Sequence, residues 1–120
     1  MDVDLERLAK SVVKSRGWHW CEGMVLRWGV GYQHSTRLSG ENTLWTVHML
    51  GGGIPDLLDK ETKGRILDLV RRMRGDSSWR PTALHHDPTP DWVIETPSKK
   101  RQTLYNSYIG ALIAALMEYR

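Results

Sequence analysis

Thr43-Leu44-Trp45-Thr46-Val47-His48-Met49-Leu50, running straight into Gly51-Gly52-Gly53, is the stretch on which the fold turns. It is β-branched and aromatic, and it is apolar at odd and even positions alike. Such a composition suits a strand covered on both faces, and the glycine run marks an abrupt end. The sequence therefore predicts a strand over Thr43–Leu50, with Trp45 inside the core.

On the N-terminal side, Trp18–Cys21 and Met24–Trp28 read as two shorter strands parted by Glu22-Gly23, and Gly29, Gly31 and Ser39-Gly40 punctuate the stretch up to Thr43. Before them, Leu5, Leu8, Ala9, Val12 and Val13 recur at helical spacing, which predicts an amphipathic helix over Asp4–Arg16. Asp2, Asp4 and Glu6 stand at its positive end, and Lys14 and Arg16 at its negative end. Gly17 is its stop.

On the C-terminal side, Asp59 is placed to cap a helix over Lys60–Arg74, with Ile66, Leu67, Val70 and Met73 turned inward and Gly75 ending it. Strands are expected at Arg80–His86 and Asp91–Thr96, around the turn Asp87-Pro88-Thr89-Pro90. After the polar turn Pro97–Arg101, Gln102–Tyr105 reads as a last short strand. Ser107 caps a helix over Tyr108–Tyr119 with Ile109, Leu112, Ile113 and Leu116 as its stripe. The order helix, strands, helix, strands, helix predicts one α+β domain over residues 1–120. Its expected form is an antiparallel sheet of about four to six short strands with three helices.

The 120 residues suffice for one domain, and 40% apolar with 26% charged residues is the balance of an ordered chain. The lone Cys21 rules out an internal disulfide and any metal site built from several thiolates. A cytoplasmic location is expected on that ground. The longest apolar run, Ile109–Met117, falls short of a membrane span. The acidic start lacks the pattern of a signal peptide. Six Trp and four Tyr against no Phe imply that tryptophan fills core positions where Phe would otherwise stand, with any surplus free for an interface.

Three stretches carry a resemblance. Gly17-Trp18-His19-Trp20 with Gly23-Met24 is the first, Pro55–Asp76 (PDLLDKETKGRILDLVRRMRGD) the second, and Ala111–Arg120 (ALIAALMEYR) the third. Together they resemble a group of small uncharacterised phage and prophage proteins. The chain departs from that group at Gly110, where an acid is common. The resemblance implies a phage-like origin and a bacterial host, and it implies no chemistry.

Residue type marks the candidate sites. His19 and Cys21 would share one face of a strand, and with His48, His85 or Asp87 could begin a zinc site, although no further ligand pair supports them. His85-His86-Asp87 is the densest polar cluster, and a histidine there could serve as the base of a small hydrolase. The glycine run lacks the residues of a phosphate loop. Basic side chains gather at Arg65, Arg71, Arg72 and Arg74 and at Lys99, Lys100 and Arg101, where nucleic acid could bind with Trp79 or Trp92 stacking on bases. The net charge of +3 makes that footprint modest. Trp28 and Trp79 lie beside turns and near arginine, the composition of an interface hot spot. The expectation is a non-catalytic, cofactor-free accessory protein that binds another protein, of host or phage origin, or a second copy of itself. Nucleic-acid binding is the first alternative and a metal- or His-dependent hydrolase the second.

Overall fold

The computed structural model describes the backbone of residues 3–84, 91–95, 102–105 and 107–118, with side chains described over 4–81 and 107–117. Helix α1 spans Val3–Val12 and is followed by strand β1 (Val25–Trp28), strand β2 (His34–Arg37), helix α2 (Thr43–Met49) and strand β3 (Ile54–Pro55). Helix α3 (Lys60–Arg74) leads to strands β4 (Thr82–Leu84), β5 (Asp91–Glu95) and β6 (Gln102–Tyr105), and helix α4 (Tyr108–Glu118) closes the order. The α+β class holds. The strands divide into two three-stranded antiparallel sheets, β2-β1-β3 and β4-β5-β6, rather than forming one. The helices number four among the described residues rather than three.

The predicted strand Thr43–Leu50 is the main correction. It is helix α2, and the glycines explain why. Gly51 takes a left-handed conformation (φ 74°), its amide donates to the His48 carbonyl, and the Gly52 amide donates to the Val47 carbonyl. This pair of bonds is a Schellman stop, which closes a helix by satisfying its last carbonyls. Gly53 answers a different need. A Cβ there would lie 2.5 Å from the Arg27 carbonyl oxygen, so only glycine lets β3 close against β1. At the other end, a 3₁₀ turn over Gly40–Asn42 feeds α2, and the Thr43 hydroxyl donates to the Gly40 carbonyl at 3.0 Å.

Two further expectations change. The predicted helix Asp4–Arg16 ends at Val12, where the Ser15 hydroxyl donates to the Val12 carbonyl at 2.7 Å and the chain turns away. Serine's short side chain competes for the backbone in this way. Trp18–Cys21 is not a strand. The Trp18 ring is buried and meets Trp20 edge-on, with centroids 5.2 Å apart and planes at 85°. Of the predicted strand Met24–Trp28, all but Met24 forms β1. Gly23 and Met24 together oppose Leu38, since the Gly23 amide donates to the Leu38 carbonyl and the Leu38 amide to that of Met24. With Gly23 at φ 92° this is a glycine-type β-bulge, which starts the β1–β2 ladder.

Helix α3 spans the predicted residues. Asp59 accepts from the Thr62 amide at 3.0 Å, and Gly75 closes the helix at φ 66°. The cap also joins the helix to the sheet. The fully buried Thr62 hydroxyl donates to Asp59 Oδ2 at 2.9 Å and accepts from the Val25 amide at 2.9 Å. Arg37 of β2 grips the same carboxylate, with Nη2 3.0 Å from Asp59 Oδ1, and reaches Glu61 at 3.0 Å and the Gly23 carbonyl at 2.8 Å.

Helix α4 carries the second half of the fold. Ala111, Leu112, Ile113, Ala115 and Leu116 are almost wholly buried, and the helix contacts α1, α3, β5 and β6. Each buried leucine there contributes about 2 kcal/mol. The same core takes Ala9 and Val12 of α1, Leu26 and Ile54 of the first sheet, and Ile66, Leu69 and Val70 of α3. No helix among the described residues is long and apolar enough to cross a membrane.

Candidate functional site

Helix α2 carries large apolar side chains on both sides, but only one side of it faces the core. Thr43 is buried, and Val47 and Leu50 pack against the core cluster. Leu44, Trp45, His48 and Met49 stand on the other side at helical spacing. Their exposure decides how the surface reads: Leu44 is 70% exposed, Trp45 63% and Met49 60%. A tryptophan expected in the core is thus in solvent, with two large aliphatic side chains beside it. The three expose on the order of 400 Å² of mainly apolar surface, the size at which a patch on a monomer is often functional. The Schellman stop at Gly51-Gly52 closes the C-terminal end of α2, and the Thr43 hydroxyl ties its first turn back to Gly40.

The site residues expected from the sequence are placed differently. Trp28 is half-buried on β1. Its ring stacks on His34 at 4.6 Å and its indole N–H donates to the Thr36 hydroxyl at 3.0 Å. Trp79 folds back on the end of α3. The Arg74 guanidinium lies 4.6 Å from its ring centre, and Arg71 Nε donates to the Trp79 carbonyl at 2.8 Å. Arg65 stands 3.8 Å from Glu61, and Arg72 is exposed. Arg71, Arg74 and Trp79 therefore form one internal clamp that fixes the chain leaving α3. Lys99, Lys100 and Arg101 lie outside the described residues, as do His85, His86 and Asp87.

The remaining polar groups are dispersed. His19 and His48 are exposed, and the Cys21 thiol is half-buried with Sγ 3.4 Å from the His19 carbonyl. Burial raises the Cys21 pKa above the ordinary thiol value, against the opposing influence of Arg72 and Arg65. No group of three or more His, Cys, Asp or Glu among the described residues could hold a metal ion. A shallow, open depression of about 330 Å³ on α1 is lined by Glu6, Arg7, Lys10, Ser11 and Lys14. Lys10 there is drawn toward Glu6 at 3.8 Å and lies 5.4 Å from the Tyr32 ring centre.

The α2 patch was hidden in the sequence by its own composition. Periods of 2 and 3.6 both fit so short a stretch, in which apolar residues stand at odd and even positions with only Thr46 and His48 between them. The signal that separates them is the glycine stop: reading Gly51-Gly52 as a helix C-cap sorts Val47 and Leu50 inward and Leu44, Trp45 and Met49 outward. No protein-family model, curated protein or solved structure matches this chain.

Proposed function

We propose that this chain is a non-catalytic protein-binding module and that the outer face of α2 is its contact surface. The observation that carries the proposal is the exposure of Leu44, Trp45 and Met49 on one side of a helix that a Schellman stop closes and whose other side is in the core. Interface anchors are enriched in tryptophan, and a preformed helix loses little entropy on docking. Two of the four arginines of α3 support the same choice over nucleic-acid binding, because Arg71 and Arg74 are engaged with Trp79 inside the chain. The resemblance to small phage and prophage proteins directs the search for the partner to phage proteins and to host enzymes or defence proteins that such a module would inhibit.

The test is affinity capture from bacterial lysate with the wild type and Trp45→Ala side by side, followed by affinity measurement with the protein identified. Removing an anchor of this kind costs about 2 kcal/mol, a loss of roughly 30-fold in affinity. The exposed position leaves folding stability within about 0.5 kcal/mol. Equal binding by the two chains, or no specific capture by the wild type, would overturn the proposal.

A further inference from the structure

Strand β2 is an edge of its sheet, and β1 is its principal neighbour. In an antiparallel ladder alternate residues turn their peptide groups toward and away from the partner strand. The side that each residue of β1 faces is fixed independently. The Val25 amide donates to Thr62 and its carbonyl accepts from the Asp56 amide at 2.9 Å, so Val25 faces away from β2. Its cross-strand neighbour is Arg37, and that of Arg27 is Ser35. Ser35 and Arg37 therefore point their N–H and C=O groups outward, and nothing among the described residues bonds them. At four residues β2 is short, which limits the open edge, but the other usual protections are missing. There is no proline or bulge on β2, and its one charged side chain, Arg37, is drawn back onto Asp59 and Glu61.

We propose that β2 pairs with β2 of a second copy of this chain, antiparallel about a two-fold axis at Thr36, joining two sheets into one of six strands. The register is set by the hydrogen bonds. An axis at Thr36 sets Ser35 opposite Arg37 of the second copy and uses every outward group of both residues, for four backbone bonds. An axis at Ser35 would set Arg37 opposite Gln33, which lies outside the strand, and an axis at Arg37 would oppose two like charges. At the Thr36 axis no like charges meet, and threonine faces threonine, a favourable cross-strand pair. The contact is small, so association is weak and concentration-dependent. This surface is distinct from the outer face of α2 and does not depend on its role.

Cysteine cross-linking reads the register. On the axis, Thr36 and its copy form a non-hydrogen-bonded pair with Cα atoms about 4.5 Å apart, within the span of a disulfide. Ser35 and its copy are diagonal neighbours roughly 7–8 Å apart, which is too far. Random collision would favour the opposite order, because Ser35 is exposed and Thr36 half-buried. Under mild oxidation Thr36→Cys is expected to form a 36–36 disulfide, identified by peptide mapping, about tenfold faster than Ser35→Cys forms its own. In the wild type, the amide resonances of Ser35 and Arg37 are expected to shift with protein concentration while that of the buried Ala9 does not. Cross-linking of Ser35→Cys at an equal or higher rate, or wild-type amides that are invariant up to the solubility limit, would overturn the pairing.

Discussion

Thr62→Val isolates the joint between α3 and the first sheet. The two side chains have nearly the same volume, so the substitution opens no cavity at this fully buried site. It removes the oxygen that accepts from the Val25 amide and the hydroxyl that donates to Asp59, both at 2.9 Å. A buried N–H left without an acceptor costs about 1–3 kcal/mol, and the bond to the carboxylate adds about 1 kcal/mol. The total of about 2–4 kcal/mol is a large part of the roughly 5–15 kcal/mol that holds a domain of this size together. At roughly 4 °C per kcal/mol, the melting temperature falls by about 8–16 °C. Urea unfolding monitored by tryptophan fluorescence should show a lower midpoint at unchanged slope. Thr62→Ser keeps both bonds and should recover most of the loss. A Thr62→Val protein within about 0.5 kcal/mol of wild type would refute the reasoning, and a Thr62→Ser protein as unstable as Thr62→Val would place the cost on packing instead.

Three other outcomes are expected. The hydrogen bond from Arg37, then those from Thr62, hold the Asp59 carboxyl below its ordinary value of 3.8, against the opposing effect of burial. Its stabilisation is therefore complete above pH 3.8 and lost as pH falls toward the folded value, so the gap in melting temperature between wild type and Asp59→Asn should narrow with acidification below that point; a gap independent of pH would contradict it. Gly53→Ala drives a Cβ toward the Arg27 carbonyl at a positive φ of 153° and should cost at least about 2 kcal/mol in urea unfolding, and a neutral substitution would show that β3 can retreat from β1. Burial raises the Cys21 pKa and so lowers its thiolate fraction at a given pH, which should make alkylation by iodoacetamide slower than in the urea-unfolded chain at the same pH, and an equal rate would refute the protection.

Helix α3 was legible from its ends, because Asp59 and Gly75 act through bonds to their own neighbours and need no tertiary context. The α2 segment was not, because β-branched and aromatic residues favour a strand when the glycines behind them are taken only as a loop. Val47 and Trp45 are neighbours under a strand period and opposites under a helical one, so one decision moved the key side chain from core to surface. Trp79 was placed near arginine by sequence, but that Arg74 lies over its ring depends on the turn at Asp76, where Ser78 bonds the carboxylate at 2.7 Å. The link from Arg37 to Asp59 spans residues far apart in sequence and was invisible to any local pattern.

The way α2 is held separates two kinds of constraint that most surfaces mix. Thr43 and the glycines fix the helix, Val47 and Leu50 moor it, and Leu44, Trp45, His48 and Met49 serve neither purpose. Substitutions at those outer positions are screened for what they touch outside the molecule and scarcely at all for folding. A lineage under pressure to track a changing target could rewrite them freely, keeping the rest of the chain as an unaltered chassis.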